Sequence, residues 1–352
     1  MDSDSPGRAG LFLGIEIGGT KLQLGVGSGG DEHLVGISRH DVDAARGAVG
    51  ILDEIERSAT ALMQKHRVER IGIGFGGPVD RAAGVCTKSH QVQGWDGFPL
   101  ARWCFETFNK PAVMGNDCDV AALAEARLGA GRGAGSVLYV TVGTGIGGGF
   151  VIDGKLHGAA RPAVAEVGHL RPGLLADRPD MTIESLAAGP GIAAAAVARM
   201  TNVSRPLDSL RSGTGPMSRA QVIQRLHDVK QTEEEYIADL LERCDGQLDQ
   251  MTAKMVAQSA SEGNEIARDV VGHAWQALGW GIAQAITLLA PEVVVIGGGV
   301  SLIGEQFFFS PLRLEVARYV FPPLAGSYKI VPAKLGELSV VHGAIALAAD
   351  NG

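Results

Sequence analysis

Cysteine is scarce. The chain has four, Cys86, Cys104, Cys118 and Cys244, and no two stand in a C-x-x-C. This suggests neither a zinc knuckle nor a disulfide framework, and it fits a reducing, cytoplasmic setting. Positive charge is also in deficit, with 31 Lys and Arg against 39 Asp and Glu, a net charge of −8. That balance gives no long-range attraction to nucleic acid or to an anionic membrane, and neither partner is expected. The opening MDSDSPGRAG has no apolar core of the kind a secretion signal needs and is read as a disordered tail over residues 1–10. One stretch, Val270 to Pro291, is free of Asp, Glu, Lys and Arg for long enough to suggest a membrane span. His273, Gln276, Gln284 and its glycines, with the strand-like VVVIGGG that follows, make it a buried helix instead.

Glycine is what the chain has in plenty, 50 of 352 residues, with 45% of residues hydrophobic and length enough for two domains. Apolar runs predict strands at Leu11 to Ile17, at LQLGVG, at IGIGFGGPV, at 112–115 and 136–142, and in PEVVVIGGGVS. Helical periodicity covers 48–66, 118–128, 191–200, a charged stretch from 218 to 260, an apolar one from about 266 to 289, and 342–349. Residues 201–216 read as a loop. Strands alternating with helices give an α/β class. A strand, a glycine turn and a second strand occur around GGTK, Gly18 to Lys21, and again around GTGIGG, from Gly143. This weak repeat suggests two related halves with a turn each around one cleft.

GTGIGG and GIGFGG, the latter from Gly72 to Gly77, both fit G-x-G-x-x-G. A dinucleotide site needs a helix straight after the glycines, because the helix N-terminus carries the pyrophosphate. GFVIDGKLHG follows the first match, a short strand and an Asp-Gly turn, and Pro78 and a polar loop follow the second. Neither order suits NAD, and no Walker loop is present. What remains is phosphate binding by backbone N–H groups in glycine hairpin turns, with Thr20 and Thr144 adding hydroxyls, or else ordinary turns. A third glycine turn at Gly297 to Gly299 tips the set towards a nucleotide.

IEIGGTK, GNDCDVAALAE, VTVGTGIGGG, AEVGHL and VVVIGGGVS stand in the order found in the ROK family of sugar kinases and sugar-responsive repressors, and from about residue 11 to 349 the chain resembles that family. The resemblance implies a two-domain, actin-like ATPase fold of the ribonuclease H type, with a cleft between an N-terminal α/β domain, 11–130, and a C-terminal one, 131–352. It implies that the last helix packs back on the first domain. It implies ATP phosphates at Gly18, Gly19, Thr20 and Lys21 and at Gly143, Thr144 and Gly145, with Gly298 and Gly299 by the adenosine. Asp117 becomes the general base, taking a proton from a sugar hydroxyl as the γ-phosphoryl arrives. An Asp between a strand and a helix is equally at home as an N-cap, and the two roles are compatible. Glu16 falls where the family carries an acid that holds Mg²⁺, here through water. Lys21 is either a phosphate contact or a solvated hairpin residue. Gly77, Gln91, Asn116, Glu166, His169 and Glu184 take the positions of sugar contacts.

The pattern also breaks. The interval LRPGLLADRPDMTI lacks the cysteines that form the family's zinc site with the histidine, so no zinc is expected and His169 becomes a sugar contact or a structural hydrogen-bonding residue. Gln91 stands for an Asn, and Gly76 for a Pro. Residues 201–255 exceed the family's usual length and read as an oligomer contact or a solvated elaboration. Ten residues before the first strand leave no room for the repressors' helix-turn-helix. The expected activity is ATP- and Mg²⁺-dependent phosphorylation of a hexose hydroxyl, O6 first, by a dimer or tetramer. The rivals are a non-catalytic sugar sensor of the same fold and an NAD-dependent oxidoreductase.

Overall fold

The computed structural model describes residues 10–89, 92–158, 161, 164–173, 178–201 and 232–350. Two five-stranded sheets share one strand plan. In the first, β1 (Leu11–Ile17) and β2 (Lys21–Gly27) form an antiparallel hairpin, and β3 (Leu34–Asp41) pairs with β2. β4 (Val68–Phe75) lies parallel to β1, and β7 (Ala112–Asn116) parallel to β4. Between them the short strands β5 (Val79–Asp80) and β6 (Val85–Cys86) pair with each other. In the second sheet β8 (Ser136–Val142) and β9 (Ile146–Ile152) form the hairpin and β10 (Lys155–Leu156) its edge. β11 (Val293–Gly297) and β12 (Lys329–Pro332) add in parallel. The repeat seen around the two glycine turns therefore extends to whole sheets.

Helix α1 (Gly47–Lys65) buries Ile51, Ile55, Ala59 and Leu62, one stripe at spacings of three and four. With α2 (Leu100–Phe108) it closes a core against Leu13, Ile15, Ile71 and Ile73 of the first sheet. The second sheet's core is closed by α4 (Ile183–Ala187), α5 (Gly189–Thr201), a helix α6 over described residues 232–243, α7 (Ala253–Ser261), α8 (Glu265–Leu289) and α9 (Ser310–Tyr319). The uncharged stretch from Val270 forms most of α8 and buries one face of it, including Ala274, Trp275, Leu278 and Ile282; the helix is capped by the Asn264 side chain accepting from Ala267 N at 3.1 Å. No helix among the described residues is long and apolar enough to cross a membrane.

Helices α3 (Asp117–Arg127) and α10 (Ser339–Asp350) pack on each other, α10 against β1 and β4 and α3 against β8 and β9. The glycine patterns find their use here. A Cβ on Gly72 would stand 1.8 Å from the Ala344 carbonyl oxygen of α10, and one on Gly149 would stand 2.8 Å from the Cys118 oxygen of α3. Bare backbone lets each helix sit directly on its sheet. The fully buried Glu125 joins the segments flanking this pair, accepting from Ala130 N (2.8 Å), Lys334 N (3.2 Å) and Leu335 N (2.8 Å).

The structure adds β3, β5, β6, β10, β12, α2, α4 and α9 to the elements read from the sequence. It also breaks the helix expected over 218–260, of which 218–231 lie outside the described residues, as does the loop expected over 201–216 apart from its first residue. The helix stops at 243 because Asp245 (φ 51°) and Gly246 (φ 72°) turn left-handed, and α7 restarts under a Thr252 cap.

Candidate functional site

The N-terminus of α3 lies between the two hairpins. Asn116 ends β7, and its side chain is the helix cap: Oδ1 accepts from Cys118 N at 2.8 Å, while Nδ2 donates to Gly77 O at 3.1 Å. Asp117 is therefore the first helical residue rather than the cap, although its Oδ1 also accepts from Cys118 N at 2.8 Å. A Cβ on Gly76 would stand 3.1 Å from the Ile17 carbonyl oxygen and in ordinary contact, 3.6 Å, with the Asp117 Oδ2. Gly76 N in turn donates to Ile17 O at 2.8 Å, which ties this corner to the end of β1.

Four carboxylates run across the site. Glu16, Asp117 and Glu166 each have a raised pKa, chiefly because burial disfavours the charged form. Asp117 pushes Glu16 and Glu166 up further, Glu184 does the same to Glu166, and His169 holds Glu166 down. Those mutual effects place Glu16, Asp117, Glu166 and Glu184 within electrostatic reach of their neighbours. Asp119, two residues into α3, is a fifth acid that sequence reasoning missed. Burial, Glu166 and Asp117 push its carboxyl up to about 6 against the pull of Arg81. No local signal in NDCD distinguishes it, since its neighbours come from other segments.

Each turn keeps its backbone open. In the first, Gly18 N donates to Lys21 O at 2.9 Å, and Thr20 is exposed at the tip beside Gly19. Lys21 Nζ lies 3.9 Å from Glu16 Oε1, so its nearest charged partner is that carboxylate. In the second, Gly143 N donates to Gly145 O at 2.9 Å and Thr144 is exposed. Glu184 Oε2 accepts from Ile146 N at 2.7 Å, fixing this acid to the base of the turn. The third turn approaches the second: a Cβ on Gly143 would stand 3.8 Å from Gly299 N, and Gly298, at φ 87°, has no room for a side chain against Val142 O. His169 ends a short 3₁₀ turn that starts from Glu166, with His169 N donating to Glu166 O at 3.1 Å. Gln91 lies outside the described residues.

A cavity of about 950 Å³ opens beside Gly143, Thr144 and Gly299. Its walls are Pro190 and Ala193 of α5, Met251, Ala253 and Ala257 at α7, and Val300, Leu302, Ile303 and Phe307, with Lys254, Gln258 and Ser261 the polar members. The end of the stretch expected to be an oligomer contact or a solvated elaboration thus lines this cavity, through Met251, Thr252, Ala253 and Lys254. Apolar walls of this volume around a few polar groups suit a small-molecule site, here one ending on two bare turns.

Gln23 Nε2 holds Glu16 Oε2 at 2.7 Å, and the Oε1 of this fully buried Gln23 has no hydrogen-bond partner. A carboxylate held in this way, at the end of β1 beside a glycine turn, fits Mg²⁺ bound through water, since that ion keeps most of its waters. Among the described residues no group of three or more His, Cys, Asp or Glu is placed to hold a metal by itself.

A family model described as ROK family matches residues 12–351. The chain is 28% identical to a glucokinase of Thermotoga maritima over 336 residues, 96% of each protein. It is 27% identical to a xylose repressor of Caldicellulosiruptor bescii, matching 84% of this chain and 67% of the repressor. Among solved structures, a ROK family glucokinase from Streptomyces griseus in complex with glucose and AMPPNP superposes with a TM-score of 0.73 at 28% identity, covering 97% of this chain and 100% of that one.

Proposed function

The chain belongs to the ROK family and has its two-domain, actin-like ATPase fold, and on that premise we propose that it is an ATP-dependent kinase that phosphorylates a hexose hydroxyl, O6 first. The observation that carries the reading is the pairing of the 950 Å³ cavity, ending on the Gly143 and Gly299 turns, with a half-buried acid of raised pKa, Asp117, at the head of α3. The glucose and AMPPNP held by the Streptomyces griseus relative support sugar and ATP as the two substrates.

In this reading the apolar walls take adenosine, and the turns at Gly18–Thr20 and Gly143–Gly145 take the phosphates through backbone N–H groups. The division between sugar and nucleotide domains falls near residue 130. Asp117 accepts the proton of the attacking hydroxyl. Its raised pKa suits that task, because a more basic carboxylate takes a proton more readily once ionised. Asn116, Gly77, Gln91, Glu166, His169 and Glu184 orient the sugar, and the bond from Glu184 to Ile146 N couples the sugar side to the phosphate turn. Carboxylates suit this work because each accepts two hydroxyl hydrogen bonds in fixed geometry. Glu16 would hold Mg²⁺ through water, and the ion would offset charge on the phosphates. Closure of the cleft excludes water as a competing acceptor.

The xylose repressor relative keeps a non-catalytic sugar sensor as the second reading. The experiment that separates the two is coupled ADP release over a panel of hexoses, with sugar binding measured in parallel. Turnover with at least one hexose, lost in Asp117→Asn while binding persists, supports the kinase. Binding without turnover across the panel supports the sensor.

A further inference from the structure

At the C-terminal end of α3 a second cavity, of about 340 Å³, is lined by Arg81, Arg127, Lys155 and Asp350 over a floor of leucines. Arg127 is satisfied: Nη1 and Nη2 bond the two Asp350 carboxylate oxygens at 2.7 Å each, and Nε and Nη2 donate to Gly154 O at 2.8 and 2.6 Å. Arg127 and Asp350 therefore cancel. Arg81, in the turn after β5, has no such partner. Among the described residues its guanidinium makes no hydrogen bond or ion pair, and it senses Asp119 and Asp350 only at longer range. Burial lowers its pKa, and the two acids only partly offset that. A half-buried guanidinium with unused donors is costly unless an acceptor arrives. Lys155, exposed on β10, is likewise without a carboxylate partner among the described residues.

Two cations that make no hydrogen bond or ion pair among the described residues, from hairpins belonging to different sheets, thus face one hollow in a chain of net charge −8. We propose that this cavity binds the phosphate group of a small metabolite, at a site distinct from the reaction cleft. The planar fork of Arg81 matches two phosphate oxygens, Lys155 supplies a point charge, and the leucines Leu123, Leu156 and Leu347 offer contact to an ester's carbon atoms. The volume lies at the small end of the range for small-molecule sites, about 300–1,000 Å³, which suits a compact anion. An occupant would join the small β5–β6 hairpin to β10, the edge of the second sheet.

The test is calorimetric titration of the full chain, with the nucleotide cleft saturated by a non-hydrolysable ATP analogue. Inorganic phosphate and glycerol 3-phosphate are the probes. One site is expected, weakened about tenfold or more in Arg81→Met and in Lys155→Met, the loss of one charge-assisted hydrogen bond each. Lys155 is exposed, so its variant retains the fold, and a thermal melt checks Arg81→Met. Tighter binding of the ester than of free phosphate identifies an ester ligand, and equal binding identifies free phosphate. Binding of neither probe, or unchanged affinity in both variants, overturns the proposal.

Discussion

Asp119 offers a measurable consequence of burying acids together. Its carboxyl is raised from 3.8 to about 6, by burial first, with Glu166 and Asp117 adding to it and Arg81 opposing. The folded chain therefore binds a proton at Asp119 more tightly than the unfolded chain does. Between about pH 4 and pH 6 the folded state holds more protons, so stability falls as pH rises through that window and stays lowered above it. Asp119→Asn has no charge to bury. The variant should match the parent near pH 4 and exceed it above pH 6. About two pH units at roughly 1.4 kcal/mol each set a ceiling near 3 kcal/mol. Asp119 keeps part of its surface in water, which brings the expected gain at pH 7 to about 1–2 kcal/mol. The net shift already contains the attraction of Arg81, so no separate correction for that pair is due. Urea unfolding at intervals from pH 4 to pH 8, followed by tryptophan fluorescence, reads the difference. A gap equal at pH 4.5 and 7.5, or an Asn variant less stable than the parent at pH 7, would show that burial does not govern this carboxylate.

Asp117→Asn should lower kcat by about 10²–10⁴-fold with little change in sugar KM. In the parent, kcat/KM should fall on the acid side with a midpoint above the ordinary aspartate value of 3.8, because Asp117 must be ionised to act and burial raises its pKa; a midpoint at or below that value would remove it as the base. Gly72→Ala places a Cβ 1.8 Å from the Ala344 backbone oxygen, and since a helix backbone cannot give way cheaply the cost should reach about 3 kcal/mol or more in urea unfolding. Burial holds the Cys118 thiol well above 9 and pushes Cys86 and Cys104 up to about 12. Native protein at pH 8 should therefore resist iodoacetamide at these three positions, with full labelling only in denaturant, as mass spectrometry would read. Chelation by EDTA should abolish turnover and leave sugar binding intact, with Mg²⁺ restoring activity; turnover persisting in excess chelator would count against Glu16 as a metal ligand.

Much of this molecule was legible locally. The hairpins around Gly18 and Gly143, the strand leading to Asn116, the helix after it and the apolar helix from Ile266 all announce themselves within a short window. There the alternation of apolar residues, a capping amide or a glycine turn is enough to set the backbone. The motif order carried the family, and with it the candidate acids. Edge strands β3 and β12 were not visible, because an edge strand is half-exposed and short of continuous apolar signal. LVGISRHD alternates half-buried and exposed along its length, with no fully buried residue. Asn116 rather than Asp117 proved to be the cap, a choice between neighbours that pattern alone does not make.

What only the tertiary structure decided is what each residue meets. Gly72 opens one G-x-G-x-x-G match and Gly149 directly follows the other, yet their bare faces receive α10 and α3, helices that arrive from elsewhere in the chain. The walls of the large cavity come from four separated segments, including one that composition marked as solvated surface. The raised acids at the head of α3 and the unpaired guanidinium of Arg81 depend on desolvation and on charges brought in by other strands. Backbone propensity acts over a few residues and is written in order. Close approach and the loss of water act between residues far apart in the chain, and they exist only once it has folded.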